Sequence, residues 1–217
     1  MNRIVLCISL AYLTAMKLLP KIGERLISPF RMNWMKPEYF SLNHRNVVDG
    51  LFMDKFITGI NFPQVLPYVV IRSGGMYLTY SRKRGEEVRL HGTRSIGFGG
   101  HIDLPDVSSK GEIKDVILKA CERELQEEIG LHLSNFEERV VFNHSITDYT
   151  NTVGMVHFGI FAVVDLDNAE WQTLNIDPDE ISDARWLTAA ELKADNAMYE
   201  SWSQAIILNE GNVGIVK

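Results

Sequence analysis

Cysteine is scarce: the 217 residues hold two, Cys7 and Cys121, set 114 positions apart. That excludes a disulfide-framed scaffold, and with no CxxC or CxxH spacing it gives no sign of zinc. One disulfide is arithmetically open, but reduced thiols in a cytoplasmic protein are the expectation. Basic charge is also short. Lys and Arg number 22 against 28 Asp and Glu, a formal net charge of −6. A binder of long nucleic acid needs a basic surface, so that class is disfavoured. Small anionic substrates are not, because a local site and a metal ion can handle them. Long hydrophobic runs are missing too. The longest candidate, residues 4–16 (IVLCISLAYLTAM), is shorter than the roughly 20 apolar residues that span a bilayer. With 46% hydrophobic and 23% charged residues, the chain is neither disordered nor collagen-like. Its length supports one well-buried core, alone or with a small appendage.

The pattern along the chain divides it into residues 1–35 and 36–217. Residues 4–16 read as a helix continued by 17–27 and kinked at Pro20. Three readings of this end stand together: an appendage packed on the main domain, an over-extended start with translation from Met32 or Met35, or a signal or anchor within residues 1–20. Residues 36–62 read as short irregular elements. Leu66–Arg72 and Met76–Arg82 suit the two strands of a hairpin turning at Ser73-Gly74-Gly75. Ser95–His101 is a Gly-rich run. Lys114–Ile129 carries apolar residues at helical spacing, and Gly130 stands where a left-handed cap ends a helix. Glu138–His144, Gly154–Asp165 and Ala184–Leu187 read as strands. Thr188 caps a helix over Ala189–Ala194, and Ala197–Leu208 forms another. One mixed α/β domain accounts for this order.

Chemistry concentrates in Arg123-Glu124-Leu125-Gln126-Glu127-Glu128-Ile129-Gly130-Leu131. Glu124, Glu127 and Glu128 stand at i, i+3 and i+4, so a helix puts all three carboxylates on one face. On an exposed helix each like-charge pair costs only about 0.2–0.5 kcal/mol, and the stripe could simply be solvated. In a partly enclosed cleft each pair costs about 3 kcal/mol at an effective dielectric of 20. Such a cluster needs a cation, and an oxygen-only donor set selects Mg²⁺ or Mn²⁺ over zinc.

The spacing decides between these. The string REUxEExGU, with U aliphatic, is the second half of the Nudix box, and the chain resembles the Nudix (MutT-like) hydrolases at each of its fixed positions. Five such letters coincide by chance in a chain this long roughly a few times in ten thousand. The first half is looser. Gly99-Gly100 matches the opening glycine pair and Gly111-Glu112 the Gly-Glu pair, but eleven residues separate Gly100 from Glu112 where the box has five. Asp115, at the standard distance from Arg123, is the rival to Glu112. The GGHI start and stretched loop look similar to a subgroup of MutT-type phosphoesterases.

The resemblance covers about residues 65–195 and implies an α/β fold, a Nudix-type α/β/α sandwich around a mixed β-sheet. It implies Mg²⁺-dependent cleavage (Mn²⁺ as the substitute) of a pyrophosphate bond in a nucleoside diphosphate derivative or related small phosphorylated molecule. It also implies metal ligands Glu124, Glu127, Glu128 and the backbone carbonyl of Gly99 or Gly100. Arg123 would orient the loop through Glu112 or Asp115. Glu180 is the candidate for a further carboxylate acting as base, with Asp148 as the alternative. Beside the box, Arg82, Arg84 and Arg94 are candidates to grip substrate phosphates, and His101 could hydrogen-bond substrate. Tyr68, Tyr80, Phe98, Phe158 and Phe161 read as core. A homodimer is compatible with all of this. Two rival classes remain: a Nudix-fold isomerase acting on a diphosphate, which would need a catalytic cysteine, and a non-catalytic nucleotide sensor, which would have shed box carboxylates.

Overall fold

The computed structural model describes residues 4–44, 62–82, 92–107, 112–179 and 181–209. In chain order, the strands are β1 (Ile4–Ile8), β2 (Arg25–Pro29), β3 (Phe40–His44), β4 (Gln64–Ser73), β5 (Met76–Arg82), β6 (Arg94–Ser95), β7 (Gly97–Phe98), β8 (His144–Asp148), β9 (His157–Asp165) and β10 (Ile181–Thr188). The α-helices are α1 (Leu10–Ala15), α2 (Ile113–Ile129), α3 (Phe136–Arg139), α4 (Thr152–Met155), α5 (Asn168–Gln172), α6 (Ala189–Ala194) and α7 (Ser201–Leu208). They fall into two compact units: residues 1–67, 100–121 and 142–161 form the first, residues 68–99, 122–141 and 162–217 the second. Strands β4 and β9 and helix α2 each have residues in both.

In the first unit β1 pairs antiparallel with β3, and Cys7 of β1 stands opposite Gln64 of β4. The opposite flank is antiparallel as well, β9 on β8 and β8 on β2. Strands β4 and β9 run parallel. The Val156 carbonyl accepts the Gln64 amide at the start of the pair, and the Arg72 carbonyl accepts the Leu166 amide at its end. The sheet is therefore mixed, as the resemblance implied, and the fold is of the α/β class. In the second unit β4 and β5 form the expected hairpin, β10 extends it antiparallel to β5, and the short β6 and β7 add to β5 and β4.

Three expectations give way to the structure. Residues 4–8 are a strand, and only Leu10–Ala15 is helical. The apolar run suits either state. The pairing partners decide, since Val5, Cys7 and Ile8 are fully buried once the strand is hydrogen-bonded to residues 40–44. Residues 25–27, read as helix, belong instead to β2, which pairs with β8. Within Glu138–His144 the chain turns through the short α3 and becomes a strand only at His144.

Helix α2 follows its sequence signals closely. Val116, Ile117, Leu118, Ala120, Cys121, Leu125 and Ile129 are buried. Asp115 accepts the backbone N–H of Glu112 (3.1 Å) at the start of the helix. At the end Gly130 takes φ +63°, and its amide reaches the Gln126 carbonyl. A Cβ there would also meet the Cβ of Asn175 at 2.9 Å. Gly130→Ala is therefore expected to cost about 1–2 kcal/mol, read as a lower urea midpoint with unchanged slope.

Candidate active site

The C-terminal half of α2 presents the acidic face. The Glu128 side chain is buried and its Oε2 accepts the backbone N–H of Gly99 at 3.1 Å. Gly99 itself sits at φ +138°, a backbone conformation that side-chain-bearing residues rarely adopt. Glu124 is mostly covered and Glu127 mostly open, with side-chain exposures of 13% and 60%. Arg123 bridges them: its Nη1 donates to Glu124 Oε1 at 2.8 Å and to Glu127 Oε2 at 3.1 Å. Arg123 offsets part of the negative charge that the three carboxylates bring to this face. The described ion pairs of Arg123 thus lie within the helix, while Asp115, its rival loop partner, caps the start of α2.

The carbonyls that end α2 are also taken up. The Asn175 amide donates to the Ile129 carbonyl and the Asp177 amide to that of Glu128. The Ile181 amide in turn reaches the Asp177 carbonyl. Glu180 lies outside the described residues, but both of its flanks are tied down, one of them to Glu128 itself.

The Gly-rich strand is held from behind by side chains. Gly97 N–H donates to Ser95 Oγ (3.1 Å), and Ile96 N–H donates to Ser203 Oγ (3.0 Å). The Gly97 carbonyl accepts from Tyr80 Oη (2.8 Å). Tyr68 lies against Gly97, where an added Cβ would fall 1.9 Å from its ring. Its hydroxyl donates to Glu200 Oε1 at 2.5 Å and lies 2.7 Å from Ser203 Oγ and 3.1 Å from Ser95 Oγ. Burial, with the Glu200 charge beside it, pushes the Tyr68 phenol well above the ordinary tyrosine range.

The other expected site residues stand in varied surroundings. The Arg94 guanidinium is committed to the protein, with Nη1 on Asp183 Oδ2 (2.5 Å) and Nη2 on the Asp183 carbonyl (3.0 Å). Those bonds pin a bulge in β10 at which Asp183 takes φ +51°. Arg185 and then Arg94 hold the Asp183 carboxyl below its usual range. Asp148 is buried and accepts from Thr150 N–H (2.8 Å), Thr150 Oγ1 (2.5 Å) and Asn151 Nδ2 (3.0 Å). It closes its own loop, which disfavours it as a base. His101 stacks edge-on against His157, ring centroids 5.8 Å apart, and His157 Nδ1 lies 2.7 Å from the Val153 carbonyl. Gly100 is half-buried. Arg84, Gly111 and the Arg82 side chain lie outside the described residues. Tyr68, Tyr80, Phe98, Phe158 and Phe161 are all buried, as a core reading requires.

Sequence reasoning did not single out His157, Glu200 or Ser203. His157 stands alone in an apolar stretch and the other two in the mixed run ESWSQ, with no spacing to mark them.

The described residues include no three His, Cys, Asp or Glu side chains already gathered around a cation position. The donor set is nonetheless all oxygen and suits a hard divalent ion. A zinc-type thiolate or imidazole set is absent from the acidic face, and Cys7 and Cys121 are both fully buried.

With that geometry in place, comparison with known proteins supplies the class. The model of the NUDIX domain matches residues 82–206, more than half of the chain. The chain belongs to the Nudix family, whose members are pyrophosphohydrolases that generally use divalent metals. It is 32% identical over 149 residues to protein YmaB of Bacillus subtilis (strain 168), covering 67% of this chain and 70% of that protein. In fold it is similar to the crystal structure of Tm1382, itself assigned to the Nudix hydrolases, with a TM-score of 0.69 at 19% identity. That alignment covers 97% of this chain and 99% of Tm1382, so the likeness takes in the N-terminal strands. No described helix is long and apolar enough to cross a membrane.

Proposed function

We propose that the chain hydrolyses a pyrophosphate bond in a nucleoside diphosphate derivative or related small phosphorylated molecule, with Mg²⁺ or Mn²⁺ held by Glu124, Glu127, Glu128 and the backbone carbonyl of Gly99 or Gly100. The observation that carries this reading is the acidic face of α2 fixed against the Gly-rich turn by the Glu128–Gly99 bond. When bound, the cation would neutralise the diphosphate and lower the pKa of an attacking water. Glu128 is held in place by the turn, which suits a ligand that must not move. Glu127 is the open carboxylate of the three and can reach solvent, which suits proton abstraction from water. Arg123 keeps Glu124 and Glu127 on one side of the helix and would release them to the cation. Glu180 is assigned as a further carboxylate, and Arg82 and Arg84 as phosphate contacts. The net acidic charge supports a small substrate over nucleic acid, and a cytoplasmic setting suits two buried thiols.

An isomerase reading would need a catalytic cysteine, and Cys7 and Cys121 are both fully buried. The test is a product-analysed screen of nucleoside triphosphates, nucleotide sugars, dinucleoside polyphosphates, ADP-ribose and NADH with Mg²⁺ or Mn²⁺. Cation-dependent release of a phosphorylated product, abolished by EDTA, is expected for at least one substrate. Tight binding of a nucleotide with no turnover would replace hydrolysis by sensing.

A further inference from the structure

Behind the Gly-rich strand lies a buried cluster that the proposed chemistry does not use. Glu200 caps α7: its Oε1 accepts from Ser203 N–H (3.1 Å) and its Oε2 from Trp202 N–H (2.9 Å). Oε1 also accepts from Tyr68 Oη (2.5 Å) and Ser203 Oγ (2.7 Å). Every one of these four groups is a donor, so the position requires acceptors on both oxygens. Ser203 Oγ passes the contact on by accepting Ile96 N–H. Just upstream, the Glu200 amide donates to the Arg94 carbonyl (2.9 Å), and Tyr199 pairs with Arg94 in parallel. The start of α7 is thus bonded to the Gly-rich strand at residues 94 and 96.

From there the strand has little freedom before the acidic face. Gly97 is pressed against the Tyr68 ring, and Phe98 is fully buried and stacked on Tyr80, ring centroids 4.6 Å apart. The next residue, Gly99, donates to Glu128. A cap on a helix in ordinary core packing would need one acceptor and no partners on a distant strand. This one spends its surplus bonds on Tyr68 and Ser203, the side chains that meet Gly97 and Ile96 of the Gly-rich strand.

We propose that Tyr68, Ser203 and Glu200 are positioning residues for the cation site: they fix the register of residues 95–99 and so hold Gly99 where it meets Glu128. The inference rests on the functional reading above. Outer contacts that orient metal-binding groups typically account for 10–100-fold in metal affinity.

The test titrates Mn²⁺ calorimetrically into the full chain as wild type, Glu127→Gln, Tyr68→Phe, Ser203→Ala and Trp202→Phe, with thermal unfolding of each in parallel. Trp202 packs edge-on against the Tyr68 ring (centroids 5.7 Å apart) and has no side-chain part in the hydroxyl cluster, so its variant disturbs packing alone. Wild type is expected to bind Mn²⁺ and Glu127→Gln to lose it. Tyr68→Phe and Ser203→Ala are expected to weaken binding by about 10–100-fold. Trp202→Phe is expected to lower the melting temperature and leave Mn²⁺ affinity within about twofold of wild type. A wild-type chain that takes no Mn²⁺ would overturn the functional reading and this inference with it. Wild-type-like affinity in Tyr68→Phe and Ser203→Ala, or an equal loss in Trp202→Phe, would overturn the inference alone.

Discussion

Glu127→Gln is expected to cut cation-dependent turnover by on the order of 10³-fold, within the range for loss of a positioned acid–base group. Stability should hardly move. The Glu127 carboxylate is 60% exposed, and its described partner is the Arg123 guanidinium one turn back. An ion pair that open to water contributes no more than about 1 kcal/mol, and Gln removes a like charge beside Glu124 and Glu128. A melting temperature within about 4 °C of wild type, together with collapsed turnover, would separate chemistry from folding. Glu128 makes a less informative target, because its carboxylate also closes a buried bond to Gly99. If Glu127→Gln kept wild-type turnover on the best substrate, the assignment of this face would be wrong.

Gly97→Ala should do the reverse and strike stability first. The new methyl would stand 1.9 Å from Tyr68 Cε1 and Cζ. A ring can usually swing aside, but this one is anchored through its hydroxyl to Glu200 and lies edge-on against Trp202. Relief must then come from displacing β7 off Val69 and Val70 of β4. Overpacking of this kind costs about 3 kcal/mol or more. For a chain of this size that is a drop in melting temperature of roughly 6–12 °C. Shortening Tyr68 to Ala in the same chain should recover part of the loss, because the two sites share one volume. Additive losses in the double variant would mean that the clash is relieved elsewhere.

These two positions also show what a single sequence can and cannot reveal. Glu127 stood out because the role proposed for it depends on spacing along one helix, which a string of letters records directly. The same holds for Gly130, for the β4–β5 hairpin and for Thr188, whose hydroxyl accepts the Glu191 amide as an N-cap should. Gly97 gave no comparable signal, since its constraint comes from a tyrosine 29 positions earlier in the chain. Glu200 and Ser203 were invisible for the same reason. Arg94 could be read only as a phosphate contact, because the Asp183 that engages it lies 89 positions away. The first strand did mislead. Residues 4–8 carry no period that tells helix from strand, and only their pairing partners settle it.

That first strand gains β3 on one edge soon after it is made, since residues 40–44 follow closely, but its other partners leave the ribosome much later. Leu6 donates to the carbonyl of Ile102, 96 residues further on, and Val5 bridges to Asp103. At about 5–20 residues per second, the partner trails by roughly 5–20 s. Until they arrive, Val5, Leu6, Cys7 and Ile8 keep one edge unpaired even with β3 in place, the kind of segment that seeks other strands. Completion of the β1 pairing must therefore wait for residues 102–103, a delay set by chain order and not by final stability.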